Sequence, residues 1–140
     1  MLDYKSKSLL KDGENEGEQL VWWKNGQLRS TDFFKEGKRE GEQLGWFKNG
    51  QLLSKKFYKE GKREGEQLKW YYSNCQLLSK KFYKDGKKEG EQLTLHENGK
   101  LCCKEFYKDG KQEGEQLYWY KDGQLHSKEF YKDGKKEEDI

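Results

Sequence analysis

An all-β fold, an elongated antiparallel β-hairpin repeat array of about eleven strands in a single twisted sheet, is what this chain predicts, and three features carry that expectation. The phrase EGEQL occurs five times in 140 residues, and its glycines, Gly17, Gly41, Gly65, Gly90 and Gly114, stand 24, 24, 25 and 24 residues apart. A unit so short cannot close a hydrophobic core alone and must stack on copies of itself. Each unit also carries two turn signals. One is an Asn-Gly or Asp-Gly pair, as at Asn25-Gly26, Asn49-Gly50, Asn98-Gly99 and Asp122-Gly123; the other is a Glu/Asp-Gly pair, from Glu36-Gly37 to Asp133-Gly134. Successive turn glycines alternate 13 and 11 residues apart. That spacing leaves roughly eight or nine residues per strand and no room for a helix.

The elements follow in order as one domain, residues 1–140. Tyr4 to Gly13 forms half a unit, with Leu9 and Leu10 where later units place Phe-Tyr. Full units begin near residues 14, 38, 62, 87 and 111, and residues 135–140 form a tail in which Glu138 takes the place of the next strand glycine. A type I′ loop at Asn25-Gly26 would set Trp23 opposite Leu28, Val21 opposite Ser30 and Gly17 opposite Phe34. Later units then pair Gly41 with Tyr58, Gly90 with Tyr107 and Gly114 with Tyr131. The tyrosine ring is expected to lie across the glycine, covering backbone that lacks a side chain. The third unit carries one extra residue, and Cys75 replaces its turn glycine, which predicts a longer loop or a bulge.

Alternation sorts the side chains onto two faces. One carries Leu20, Leu44, Leu68, Leu93 and Leu117, then Trp22, Trp46, Trp70, Leu95 and Trp119, and Phe33, Phe57, Phe82, Phe106 and Phe130. This face is the more apolar and is expected to be shielded as the sheet twists and curls. The other carries Leu28, Leu52, Leu77, Leu101 and Leu125, with Trp23, Phe47, His96 and Tyr120, the tyrosines, and interspersed Gln and Ser. Being amphipathic, it suits contact with a partner.

Composition narrows the function classes. Charged residues make up 39% and the hydrophobic set 31%, a balance near that of disordered chains, but aromatic residues reach 15% and fall at fixed points of the repeat, as packing residues do. No apolar run is long enough for a membrane span or a signal-peptide core, so the expected location is cytoplasmic. Basic and acidic residues number 29 and 26 and alternate finely, which gives no basic block for a nucleic-acid backbone. Cys75, Cys102 and Cys103 do not recur with the unit, which points to reduced thiols rather than a disulfide framework or a metal site.

Nothing in the pattern suggests catalysis. Pairs such as Glu16 with Glu18, or Glu40 with Glu42, recur in every unit on an alternating strand, whereas a catalytic pair is usually singular. His96 and His126 occupy different repeat positions, without a neighbouring nucleophile. The Asp-Gly turns lack the ligand spacing of calcium loops. No catalytic residue, cofactor or metal is therefore expected. Rings such as Trp70 to Tyr72 could also cage choline or stack a sugar, in the manner of cell-wall-binding repeats.

Three elements recur: Asn-Gly-Gln-Leu (Asn25 to Leu28, Asn49 to Leu52), Phe-Tyr-Lys-Asp-Gly-Lys (Phe82 to Lys87, Phe106 to Lys111, Phe130 to Lys135) and the Glu-Gly-Glu strand start. Together they resemble the variant MORN repeat of bacterial proteins of the YwqK antitoxin type, over nearly the whole chain. The standard eukaryotic repeat is similar around Tyr-Lys-Asp-Gly-Lys but closes with His-Gly-x-Gly, where EGEQL places Glu and Gln. The resemblance implies an all-β hairpin array and a non-catalytic partner that neutralises a toxin. It supplies no catalytic residue. The expectation is a protein-binding module whose contact residues are Trp23, Phe47, Tyr58, Tyr71, Tyr72 and Tyr120, and which is a monomer or a weak dimer paired through its edges. The alternatives are a scaffold with membrane-associated or cytoskeletal partners, and a surface adhesion or wall-binding module if the chain is a fragment of an exported protein.

Overall fold

A computed structural model describes residues 4–7 and 10–137, with side chains from residue 10 onward. Eleven strands of four or more residues cross one antiparallel sheet in chain order, beginning with Tyr4–Lys7, and no helix occurs among the described residues. Each unit contributes two arms. The EGEQL arms are Gly17–Trp23, Gly41–Trp46, Gly65–Trp70, Gly90–Leu95 and Gly114–Trp119; the FY arms are Leu28–Lys35, Leu52–Lys59, Leu77–Lys84, Leu101–Lys108 and Leu125–Lys132. The expected meander of hairpins is present. Leu9 and Glu138, which carried the expectations about the two ends, lie outside the described residues.

The two turn signals differ in geometry. At the Glu/Asp-Gly pairs both residues have positive φ, as in Glu36 at 51° and Gly37 at 76°, the backbone of a type I′ turn. A two-residue strand folds straight back from each, with Arg39 opposite Phe34 and Lys38 opposite Lys35. At Asn25-Gly26 only the glycine is positive, at 91°. Gly26 N–H donates to the Trp23 carbonyl at 3.0 Å, and Trp23 N–H to the Gln27 carbonyl at 2.7 Å. This is a three-residue connection, a type I turn closed by a left-handed glycine, and not the expected type I′ loop. Asn25 serves it through its side chain, whose Oδ1 accepts the Gln27 N–H at 2.9 Å.

That extra loop residue changes the register. Gly17 opposite Phe34 and Val21 opposite Ser30 stand as expected, but a bulge then brings Leu28 opposite Trp22 rather than Trp23. The same shift places Leu52 against Trp46, Leu77 against Trp70, Leu101 against Leu95 and Leu125 against Trp119. Those leucines therefore share a face with the Trp22 series, a correction to the assignment from simple alternation. In the third unit the loop is one residue longer, from Tyr71 N–H to the Gln76 carbonyl at 2.9 Å, and Cys75 at φ 58° takes the glycine's place.

Between units the arms meet only at a waist. Ser30 pairs with Gly45 and Thr31 with Leu44, and beyond them four residues of one chain segment, 40–43, run beside two of the other, 32 and 33. The looped-out backbone needs Gly41 at φ 75°, and all five EGEQL glycines lie between 71° and 76°. A Cβ at Gly41, Gly65, Gly90 or Gly114 would meet nothing within 4 Å, so the tyrosine opposite does not cover the glycine. Glycine is required by φ, not by a seated ring.

The gap left by the looped backbone is filled by Gln43. Its Oε1 accepts from Phe33 N–H at 2.9 Å, and its Nε2 donates to the carbonyls of Phe33, Glu40 and Gly41 at 3.1, 3.1 and 3.2 Å. Gln67, Gln92 and Gln116 do the same for Phe57, Phe82 and Phe106. These glutamines, with Gln19, Ser54 and Ser79, are the buried residues of the sheet, and among the described residues no apolar side chain is fully buried. The Gln and Ser expected on a contact surface form the floor instead. The expected shielding of the other face does not occur, since Phe33, Phe57, Phe82 and Phe130 remain 41–46% exposed.

The remaining residues of EGEQL are also committed. The first glutamate caps the type I′ turn at the end of its own unit: Glu40 Oε2 accepts the Glu60 N–H at 2.7 Å, and Glu64 that of Asp85 at 2.8 Å. The second pairs across the arms, as in Glu42 with Lys55 and Glu66 with Lys80, each at 3.5 Å.

Candidate functional site

Two surfaces result from this construction. The Phe face carries Phe33, Phe57, Phe82 and Phe130 between Glu-Lys pairs. The Tyr face carries the glutamine and serine floor, the tyrosines, and the rings next to the Asn-Gly turns.

Those rings form a column across the sheet. Trp23 Nε1 donates to the Trp46 carbonyl at 3.0 Å, Tyr71 Oη to the Leu95 carbonyl at 2.7 Å, and His96 Nε2 contacts the Trp119 carbonyl at 3.0 Å. A carbonyl only accepts, so His96 carries its proton on Nε2. Burial, then the Glu97 charge, pushes the Tyr71 phenol above its usual range. The Trp23 ring also meets two cations, the guanidinium of Arg29 at 4.7 Å from its centre and Lys48 at 5.3 Å. Trp23 and Tyr71, expected as contact residues, thus fasten one unit to the next. Phe47 has no polar atom to donate. It meets Tyr72 edge-on at 5.1 Å, beside the longer loop, and Tyr72 is 58% exposed. Tyr120, exposed as well, meets His126 at 4.6 Å. Tyr58 stands apart from these rings, lower on the same face, within reach of Arg39 and Arg63.

Below the ring column the face divides by charge. In the slot opposite the glutamine, successive units carry Asp32, Lys56, Lys81, Glu105 and Glu129. Lys56, Arg63, Lys69, Lys81 and Lys88 line one concavity of about 240 Å³ with Gln67, Ser79 and Tyr83. An adjoining one, about 200 Å³, holds Asp32, Arg39, Lys56 and Tyr58. Burial, then the charges of Lys69 and Arg63, pushes the Lys56 ammonium below its usual range. Burial raises the Asp32 carboxyl, outweighing the pull of Arg39 and Lys56. In the last two units, Glu105 accepts from Gln112 at 3.2 Å and Glu129 from Tyr131 at 3.1 Å. Tyr118 beside them is pushed up to about 12 by burial and then by Glu105.

The cysteines are free thiols. The bulge turns Cys102 toward Cys103, with their sulfurs 3.5 Å apart, and burial followed by that contact raises the Cys103 thiol to about 12. A thiol held so high is a poor nucleophile. No cluster of three potential metal ligands occurs among the described residues, and no helix of theirs is long and apolar enough to cross a membrane.

No curated protein matches the chain. The MORN repeat variant matches at residues 15–36, 39–60, 88–111 and 112–137, leaving out the third unit with its extra residue. Those four stretches cover more than half of the sequence and coincide with hairpins built on the same turns, the same glycine and the same glutamine, so the chain belongs to the MORN repeat variant family.

Proposed function

We propose that this protein is a non-catalytic, cytoplasmic protein-binding module whose Tyr face receives a single cognate partner, and that the partner is a toxin it neutralises. The observation that carries the reading is the cluster at the one irregular unit. Phe47 and Tyr72 meet beside the loop that alone among the described residues carries an extra residue, with Tyr71 anchored next to them, and Tyr72 is largely exposed. An exposed ring backed by a second aromatic is what interface centres use. The repeat family supports protein binding, and the resemblance to YwqK-type antitoxins supports the finer version. A non-catalytic role is supported by the fate of the repeated carboxylates, which cap turns or pair with lysine.

The test starts from the full chain used as bait in its native lysate, followed by calorimetry with the purified partner. Phe47→Ala with Tyr72→Ala should weaken the complex at least about thirtyfold while the fold survives. Expression of the partner alone should arrest growth, and co-expression should restore it. A partner that is harmless when expressed alone overturns the antitoxin version and leaves the binding module; an undiminished affinity discards the site.

A further inference from the structure

Lysine fills the slot opposite the glutamine only in the second and third units, at Lys56 and Lys81, and Arg63 and Lys88 stand beside them on the Tyr face. Lys56, Arg63, Lys81 and Lys88 are half-buried, and Lys69 stands between Ser54 and Ser79 on the floor. The ion pairs of the sheet belong mainly to the Phe face, and among the described residues no carboxylate lies in salt-bridge range of these five. Arg63 instead donates to the hydroxyls of Tyr58 at 3.4 Å and Tyr83 at 3.2 Å. Lys88 lies 4.9 Å from the centre of the Tyr107 ring. Lys56 carries the cost of this crowding, since burial and the neighbouring cations Lys69 and Arg63 oppose its charge, and an arriving anion relieves it.

From this arrangement, which rests on the protein-binding reading above, we infer that the Tyr face from Lys56 to Lys88, the second and third units and the start of the fourth, is a docking groove for a short acidic segment of the partner protein, running across the strands. The charge pattern sets the length. The basic stretch covers four strands, roughly 15–20 Å, enough for about five or six extended residues. Asp32 bounds it on one side and Glu105 and Glu129 on the other. A long polyanion such as nucleic acid would run onto those carboxylates and be repelled, whereas a short acidic segment fits between them. The tyrosine hydroxyls that hold Arg63 leave its remaining N–H groups for a carboxylate. A basic residue following the acidic run would meet Glu105.

The slot itself supplies a clean variant. Asp32, Glu105 and Glu129 occupy the position of Lys56 and Lys81 in other units, so the fold accepts residues other than lysine there. Lys56→Gln with Lys81→Gln removes two charges from the Tyr face, and Lys55→Gln with Lys80→Gln removes two from the Phe face. The probe is a fluorescein-labelled deca-glutamate peptide, titrated by anisotropy at low salt. The native chain should bind it, the Tyr-face variant about tenfold more weakly, and the Phe-face variant within about twofold of native. In the native chain the Arg63 Nε–H resonance should shift on titration, a readout that does not depend on any variant folding. Equal loss in both variants, no binding by the native chain, or tighter binding of phosphatidylserine vesicles or of a ten-nucleotide DNA strand would overturn the inference. So would a cognate complex weakened by Phe47→Ala with Tyr72→Ala but not by the Tyr-face variant. That last result would leave the protein-binding reading standing.

Discussion

Gln92 accepts a hydrogen bond from the Phe82 N–H at 2.9 Å and donates one to the Phe82 carbonyl at 3.0 Å, so a side-chain amide stands where a neighbouring strand would. It also donates to the carbonyls of Glu89 and Gly90, at 2.9 and 3.2 Å. Gln92 is only 1% exposed. Gln92→Ala orphans the Phe82 N–H and weakens three carbonyls, and should cost about 2–4 kcal/mol. Gln51→Ala, at an exposed turn, should stay within about 0.5 kcal/mol. Urea midpoints of the two variants check this, and similar values would show that the plug contributes nothing.

The same site predicts an acquired pH dependence. In Gln92→Glu a carboxylate could still accept from Phe82 N–H but could donate to none of the three carbonyls. The folded pKa of that glutamate is thereby raised above its unfolded value of about 4.3. Its stabilising contribution is complete below that value and is lost as pH rises through the folded pKa. The variant should therefore approach native stability in acid and fall below it at neutral pH, as thermal melts at several pH values would reveal.

Gly90 separates two explanations of one residue. Its φ of 73° asks for the left-handed region, and a Cβ there would touch nothing within 4 Å. Gly90→Ala should cost about 1–2 kcal/mol and Gly90→Asn less, because asparagine tolerates that conformation. The cost should add to that of Tyr107→Ala within about 0.5 kcal/mol. A strongly non-additive double variant would restore the seated ring that the open Cβ position argues against.

Asp32 gives a pH prediction for the native sequence. Burial holds its carboxyl above the usual range. An acid raised in the folded state contributes stability below its unfolded pKa and loses it as pH rises through the folded pKa. Asp32→Asn should accordingly raise the melting temperature at neutral pH, with the gain shrinking as the pH drops into the carboxylate range. A constant gain across that window would assign the effect to something other than titration.

The ring column should respond to loss of a single atom. Tyr71→Phe removes the 2.7 Å bond to the Leu95 carbonyl and keeps the ring, and should cost about 1 kcal/mol. Amide exchange should speed up locally in the third and fourth units rather than throughout. Uniform acceleration would mean that the units open together.

Periodicity made the hairpins legible, because strand length and paired glycines repeat with no competing pattern. It could not show that Gly41 loops out two residues, since the sequence of a looped glycine and that of a covered one are the same. Nor could alternation anticipate the bulge that moves Leu28 under Trp22. That shift depends on whether Asn25 takes positive φ, and asparagine is compatible with either turn. Gln43 looked like surface because its partners are the backbone groups of Phe33, which no sequence pattern displays. The basic groove had a signal that went unused. Once the units are superposed, the residue directly before Phe-Tyr runs Asp32, Lys56, Lys81, Glu105, Glu129 while its neighbours hardly change. In a chain with 39% charged residues that variable column is hidden until the register assigns it to one face.

The waist between units has a mechanical consequence. Each unit joins the next through two rungs at the waist and a glutamine, with a ring bond added at Trp23, Tyr71 and His96, and the array lengthens at right angles to its strands. Tension applied between the two ends loads these fastenings one after another, as in a zipper, and never many in parallel shear. Each release sets free 24 or 25 residues of chain, roughly 80 Å of new contour. Pulled from its ends, the protein yields in small, even, low-force steps, so it can absorb extension while the remaining units keep their faces intact.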